Sequence, residues 1–193
     1  MSFYQQLQHS TAAEREYLLS APIIAACQRG DIALNSYVAF LAQAYHHVRH
    51  TVPLLMASGA RLPASHEWVR EALVEYIAEE VGHQEWILND INACGADAEA
   101  VRHGQPGASI ELMVAFLYHQ IDRGNPMALF GMVQVLEGTS VAIALTVAEQ
   151  LQQGLQLPKQ AMSYLSSHGA LDQEHLRFFE SLMNKVTEPA DQA

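Results

Sequence analysis

Residues 165–182 read LSSHGALDQEHLRFFESL, and this stretch decides how the chain is expected to fold. Spacings of three and four residues place His168, Asp172 and His175 on one helical face, with apolar side chains before and after them. An apolar stripe of this period is typical of a helix that faces a protein core. Burying three polar side chains without partners costs free energy. The stretch therefore predicts a core helix whose polar middle holds a metal ion. The alternatives are a hydrogen-bonded polar patch and a stripe that turns to solvent at its middle.

A second helix, expected from Ser65 to about Cys94, shows the same interruption. Its apolar stripe is broken in the middle by Glu80 and His83, and this Glu-x-x-His spacing places a carboxylate and an imidazole one helical turn apart. Glu79 also lies a helical step from His83 and stays open as an alternative, although its register favours Glu80. An exposed face rich in glutamate is the competing interpretation of this segment.

Glu137 is the third polar group in an apolar setting. It lies within residues 132–145, which are apolar on almost every side of a helix and are therefore expected to be buried. A buried carboxylate has to be paired, protonated or bound to a cation. Gly138 disfavours a helix by ~1 kcal/mol, which indicates that another group approaches the backbone closely there. A carboxylate bonded to a helix end is the alternative.

Taken together, the three segments provide three carboxylates and three imidazoles. That set is too large for one tetrahedral zinc ion and suits two ions that share a cavity. His168 and His175 are ~10 Å apart along a helix axis, so they are expected to serve different ions. Mixed nitrogen and oxygen ligands favour iron or manganese. A ferritin-like site needs a carboxylate from each of four helices, and residues 34–58 contain neither Asp nor Glu.

Long helical segments and short loops account for the rest of the chain, and this pattern predicts an all-α bundle. A helix over residues 32–58 is expected to bend near Pro53, which lacks a backbone donor. We expect one domain over residues 1–187, followed by a flexible tail over 188–193. Further helices are expected over residues 110–123, 125–155 and 158–186.

Composition and charge narrow the range of partners. The formal net charge of -11 repels nucleic-acid phosphates and anionic lipid surfaces, so neither is expected as a partner. No apolar stretch approaches the ~20 residues that a membrane span needs, and no signal peptide is evident, so we expect a cytoplasmic protein. Cys27 and Cys94 are expected to be reduced thiols. A homodimer suits a bundle of this size, although no exposed seam marks an interface.

The order of these motifs resembles that of the heme-oxygenase-like di-iron oxidases and oxygenases, a group also described as TenA-like or as iron-containing redox enzymes. The resemblance runs from about Tyr37 to Phe179. It looks closest to the branch that includes the fatty-acid decarboxylase making terminal alkenes, because the tight Glu-x-x-His spacing and the Glu137-Gly138 pair are shared. The residues that match the family's six ligand positions are Glu80, His83, Glu137, His168, Asp172 and His175.

This resemblance implies a bundle of about seven helices and two ferrous ions, or manganese, that activate O2. The implied substrate is a small carboxylate, such as a fatty acid or an amino-acid derivative, which is oxidised or cleaved. Glu80, His83 and His168 would hold one ion. Asp172 and His175 would hold the other, with Glu137 as a catalytic carboxylate and candidate bridge.

Two further expectations concern the substrate and a competing function. The helix that contains Tyr37, Phe40 and His47 is expected to present these side chains to the substrate cavity. The competing function is that of a TenA-like protein that binds or hydrolyses a small thiamin-related heterocycle without a redox metal. TenA-type thiaminases use a cysteine nucleophile in the middle of the bundle, and neither Cys27 nor Cys94 matches that position.

Overall fold

The computed structural model describes residues 1–192, with every side chain except those of residues 141, 142 and 168–174. Over residues 1–192 the chain forms eleven α-helices and no strand, which confirms the predicted all-α class. The helices are α1 (Phe3–Ser10), α2 (Ala12–Leu19), α3 (Pro22–Gln28), α4 (Leu34–Val48), α5 (Thr51–Arg61), α6 (Glu67–Glu80), α7 (His83–Ala93), α8 (Ala98–Arg102), α9 (Ala108–Arg123), α10 (Leu129–Leu155) and α11 (Ser163–Met183). Short 3-10 turns at Ala64–His66, Pro126–Ala128 and Lys159–Met162 precede α6, α10 and α11.

The helix count exceeds the expected seven partly because two predicted long helices are each divided. The segment 32–58 forms α4 and α5, with the interruption at Arg49 and His50 rather than a bend at Pro53. Pro53 instead lies in the first turn of α5, where the missing backbone N–H would have no helical partner in any case. The proline therefore helps to begin a helix and does not kink one.

The other division falls between Glu80 and His83. Glu80 ends α6, Val81 is extended, and His83 begins α7, so the predicted helix from Ser65 to Cys94 is not continuous. Gly82 makes the break possible, because its φ of 96° lies in the left-handed region that side chains with a Cβ rarely adopt. The Glu-x-x-His motif thus spans the break between two helices.

Two apolar clusters form the core, and α6 and α7 belong to different ones. The first cluster is built from buried residues of α5, α6, α9, α10 and α11. The second contains α4 and α7 with other parts of α10 and α11. Helices α10 and α11 pack extensively on each other, and each contributes residues to both clusters. Along the sequence, the middle turns of each helix therefore lie between its residues of one cluster and its residues of the other. Glu137 and His175 occupy these middle stretches.

The last residues that the structure describes contact the body of the protein, and the flexible tail over 188–193 stays a prediction. Nε2 of His66 lies 2.8 Å from Oδ2 of Asp191. Nδ2 of Asn125 donates a hydrogen bond to the carbonyl oxygen of Ala190 at 3.0 Å. The tail therefore covers the beginning of α6 and the turn before α10.

Within residues 1–192 no single helix is both long and apolar enough to cross a membrane. The segments 126–140 and 143–155 meet the criteria of length and composition only when they are taken together.

The break at Gly82 yields a prediction about stability. Gly82→Ala should lower the free energy of unfolding by about 1–2 kcal/mol, because alanine would have to adopt a left-handed conformation. No atom lies within 4 Å of the added Cβ, so the loss would come from the backbone and not from a clash. Urea denaturation followed by circular dichroism measures the change.

Gly131→Ala is the matched control, since Gly131 lies within α10 and its added Cβ also meets no atom within 4 Å. This variant should gain roughly 1 kcal/mol, because alanine is the better helix former. Equal shifts in the two variants would contradict the role assigned to Gly82.

Candidate metal centre

Glu80 and His83 meet across the break between α6 and α7. Both side chains are buried, at 6% and 2% exposure, and Nδ1 of His83 lies 3.0 Å from Oε2 of Glu80. The imidazole packs against the indole of Trp86 with ring centroids 4.0 Å apart, which restricts its orientation. The sequence motif therefore brings its two polar groups together, although the helix that was expected to do so is interrupted.

Glu79 contacts a different imidazole. Nε2 of the buried His175, on α11, lies 2.8 Å from Oε2 of Glu79, whose side chain remains 45% exposed. Successive residues of a helix point about 100° apart, so α6 directs Glu80 toward α7 and Glu79 toward α11. Register alone had favoured Glu80 and placed Glu79 away from the site. In the structure, Glu79 instead contacts His175 and is one of the polar groups at the candidate site.

Tyr76 lies one turn before Glu80 and close to the same polar groups. Its ring centroid is 5.9 Å from that of His175. Burial, followed by the charges of Glu137, Glu80 and Glu79, raises the pKa of Tyr76 well above its ordinary value, so the hydroxyl stays protonated. Within the described part of the chain this buried hydroxyl makes no hydrogen bond. The sequence pattern had counted Tyr76 only as part of an apolar stripe.

Glu137 faces the same interior space. A cavity of about 430 Å³ is lined by Tyr76, Glu80 and Glu137, and most of its other lining residues are apolar. The Oε2 atom of Glu137 is shielded from solvent. Neither Lys nor Arg occurs among the described residues that line the cavity. A bound cation would interact favourably with the two carboxylates.

Gly138 accommodates a side chain from the preceding turn of α10. A Cβ at position 138 would lie 3.3 Å from Nε2 of Gln134, which is tighter than most contacts of this kind. Gln134 is buried, and neither polar atom of its amide has a hydrogen-bond partner among the described side chains. Gln134 was not predicted from the sequence to be a residue of the site. The available signal was a single glutamine within an apolar segment.

The three substrate-binding candidates differ in their surroundings. His47 and Phe40 line the 430 Å³ cavity. Tyr37 is buried and does not line this cavity, and its hydroxyl donates a hydrogen bond to the carbonyl oxygen of Ala161 at 2.8 Å. That hydroxyl is therefore occupied in holding α4 against the turn before α11.

A second cavity of about 300 Å³ adjoins the first and is lined mostly by apolar side chains. Tyr37 and Phe40 both line it. The N-terminal helices α2 and α3 form part of its wall through Leu19 and Ile23. The residues that line both cavities are Leu18, Phe40, Leu136, Ser140, Ala144 and Leu165. Glu80, Glu137 and His47 line the first cavity and not the second.

Asp90 ties together the helices that carry the histidines. It lies on α7, is buried, and accepts hydrogen bonds from the backbone N–H groups of Ser163 at 3.1 Å and Tyr164 at 2.9 Å, and from the Ser163 hydroxyl. A carboxylate at the N-terminus of α11 satisfies donors that the helix itself leaves open. Burial raises the pKa of Asp90 despite these bonds. Asp90 thereby fixes α11, with His175, relative to α7, with His83.

His168 and Asp172 lie on α11 among the residues whose side chains are outside the described set. Among the side chains that are described, no group of three or more His, Cys, Asp or Glu residues is arranged to hold a metal ion. The types of donor that are described nevertheless suit iron or manganese, because they are carboxylate oxygens and imidazole nitrogens. They are Glu79, Glu80, His83, Glu137 and His175.

The cysteines do not provide a nucleophile. Both are free thiols, as predicted. Burial and the charge of Asp90 raise the pKa of Cys94 to about 11, and burial also raises the pKa of Cys27. Both thiols therefore stay protonated at neutral pH, whereas a nucleophilic cysteine needs a lowered pKa. The thiaminase-like alternative gains no support from them.

Comparison with known families gives one match that covers most of the chain. The sequence profile of a family described as iron-containing redox enzyme matches residues 38–193. Comparison with curated protein sequences gives no match. The family match does not identify the fatty-acid decarboxylase branch.

Solved structures with the same arrangement of helices include a domain of unknown function with a heme oxygenase-like fold from Shewanella denitrificans. It is 23% identical with a TM-score of 0.84, over 98% of this chain and 82% of that one. A TenA homologue from P. horikoshii is 11% identical with a TM-score of 0.79, over 100% and 89% of the two chains. A TenA homologue from Pseudomonas syringae pv. tomato is 13% identical with a TM-score of 0.75, over 98% and 83%. These similarities confirm the predicted heme-oxygenase-like, TenA-like fold.

A preformed metal centre should respond to metal in thermal unfolding. Ferrous iron added anaerobically, or manganese, should stabilise the protein by about 2.7 kcal/mol at roughly 100 times the dissociation constant, because only the folded chain assembles the donors. For a chain of this size the melting temperature should rise by roughly 5–10 °C. A chelator should reverse the increase. An unchanged melting temperature at saturating metal would contradict a preformed centre.

Proposed function

This chain belongs to the iron-containing redox enzyme family, and we propose on that premise that it is a non-heme di-iron oxidase or oxygenase. The proposed reaction uses O2 to oxidise or cleave a small carboxylate substrate. The observation that carries the proposal is the group of carboxylates around Tyr76, in which Glu80 and Glu137 line one mostly apolar cavity. Carboxylates and imidazoles gathered in this way suit a metal ion, and the family description names iron as the metal.

The proposed ligands come from four helices, α6, α7, α10 and α11. Glu80 and His83, which already lie 3.0 Å apart, would hold one ion together with His168. Asp172 and His175 would hold the second ion, and Glu137 is the candidate bridge. Bound iron would supply the activation of O2, the oxidant that accepts the electrons removed from the substrate, which no side chain provides alone.

Glu79 has a separate place in this proposal. Its contact with His175 leaves nearly half of its side chain exposed, unlike the buried Glu80. A carboxylate beside a ligating imidazole orients the ring and raises its basicity. We therefore assign Glu79 to orienting His175, and Glu80 to direct ligation.

The two adjoining cavities support a substrate with a polar end and an apolar body. Glu80, Glu137 and His47 give the first cavity its polar side, whereas the second cavity is lined mostly by aliphatic and aromatic groups. Apolar walls exclude water, which strengthens electrostatic interactions inside the site. Among the two substrate types implied by the resemblance, a fatty-acid-like carboxylate suits these walls better than an amino-acid derivative.

Replacing Glu137 tests the proposal at one residue. Glu137→Gln keeps the size of the side chain and removes the charge that two cations require, so the variant should fold but retain fewer irons than the wild type. Its O2 consumption should fall at least about 100-fold if Glu137 bridges the ions. Elemental analysis after anaerobic loading with ferrous iron, followed by measurement of O2 uptake, gives both quantities.

Glu75→Gln is the matched control, because Glu75 is an exposed carboxylate on α6. Glu79 does not serve as a control, since it lies 2.8 Å from His175. The control should keep the iron content of the wild type. Equal iron content in the wild type and in Glu137→Gln would rule out the di-iron assignment.

A further inference from the structure

The hydroxyl of Tyr76 is a feature that neither the fold nor the metal ligands explain. Tyr76 is 2% exposed, and its ring packs on Phe178 with centroids 5.4 Å apart, so packing alone would accept a phenylalanine. Among the described residues the hydroxyl has no hydrogen-bond partner. A buried hydroxyl without a partner costs free energy. Its presence at this position therefore needs a compensating interaction.

Carboxylates of the protein itself are near this hydroxyl but do not accept its hydrogen. Glu137 and Glu80 lie close enough to act on Tyr76 electrostatically, and both line the cavity that Tyr76 lines. The hydroxyl nevertheless forms no hydrogen bond with either of them. The acceptor that it lacks is therefore expected to come from a molecule that occupies the cavity.

Tyr37 shows what a structural tyrosine looks like in this fold. It is also 2% exposed, yet its hydroxyl donates to the carbonyl oxygen of Ala161 at 2.8 Å. The two tyrosines are thus equally buried and differ in whether the hydroxyl has a partner within the protein. The comparison separates a tyrosine used for packing and anchoring from one that keeps a donor available.

We propose that Tyr76 is a substrate-binding residue whose hydroxyl donates a hydrogen bond to an oxygen atom of the substrate's carboxylate or carbonyl group. The proposal rests on the proposed function, because it takes the 430 Å³ cavity to be the substrate site. A protonated phenol is a donor suited to such an oxygen, and its bonds to carboxylates are among the stronger ones. The apolar walls of the two cavities then receive the remainder of the substrate.

The test compares Tyr76→Phe with Tyr37→Phe. In the metal-free protein, Tyr76→Phe should leave the melting temperature unchanged or raise it, because it removes a hydroxyl without a partner. Tyr37→Phe should lower the melting temperature, because the carbonyl of Ala161 loses its donor. Differential scanning calorimetry of both variants and of the wild type measures the shifts.

The second readout is the binding of octanoate, an unbranched carboxylate, to protein loaded with manganese, which avoids turnover. Isothermal titration calorimetry should show octanoate bound about tenfold more weakly by Tyr76→Phe than by the wild type. The affinity for manganese itself should be unchanged, because the hydroxyl is not assigned as a ligand.

Three results would overturn the proposal. A fall in melting temperature of Tyr76→Phe as large as that of Tyr37→Phe would show that the hydroxyl has a structural partner. Equal octanoate affinity in wild type and Tyr76→Phe, including no binding by either, would show that the hydroxyl does not bind the carboxylate. Weaker manganese binding with unchanged octanoate affinity would make Tyr76 an orienting group for the ligands. Failure of the wild type to bind manganese or iron would instead contradict the proposed function.

Discussion

Carboxylates and imidazoles inside an apolar helical bundle need compensating partners, and this requirement governs the arrangement of the whole site. A buried charge without a partner is strongly unfavourable, so such groups gather where they can neutralise one another or share a cation. In this fold Glu137 and His175 lie on the middle stretches of α10 and α11, between residues that belong to two different apolar clusters. The apolar ends of these helices stabilise the fold, and Tyr76 lies near both Glu137 and His175.

The break at Gly82 makes this arrangement possible for the other pair of helices. Helix α6 packs in one cluster and α7 in the other, and Glu80 and His83 come together at the break between them. Asp90 then connects α7 to the start of α11 through three hydrogen bonds. The backbone turn at Gly82 and the helix cap made by Asp90 thus fix the positions of the functional side chains. Neither residue is one of the assigned ligands.

Helical periodicity predicted the all-α class and placed the polar anomalies on core-facing stripes. It did not predict the divided helices, because a glycine inside a strongly periodic segment is also tolerated within a continuous helix. Only the φ of 96° at Gly82 distinguishes the two cases. Pro53 was similarly ambiguous, since a proline suits the first turn of a helix as well as a kink.

The same limit applies to the site. Spacing identified Glu80 and His83 as neighbours, and their contact bears this out. Spacing did not predict the contact between Glu79 and His175, because that contact depends on how α6 and α11 pack and not on register within one helix. Tyr76 was not predicted to be a residue of the site, because a tyrosine fits an apolar stripe whether or not its hydroxyl has a hydrogen-bond partner. The assignment of all six residues as metal ligands remains a prediction from sequence, and the side chains of His168 and Asp172 lie outside the described set.

Anomalous scattering from crystals loaded with ferrous iron under anaerobic conditions tests the central claim most directly. The account predicts two iron positions roughly 3.5–4 Å apart, as in other two-metal sites. Both should lie beside the cavity that Glu80 and Glu137 line, with the six assigned side chains as ligands. A single iron that Glu137 does not contact, or iron bound only at the protein surface, would contradict the account.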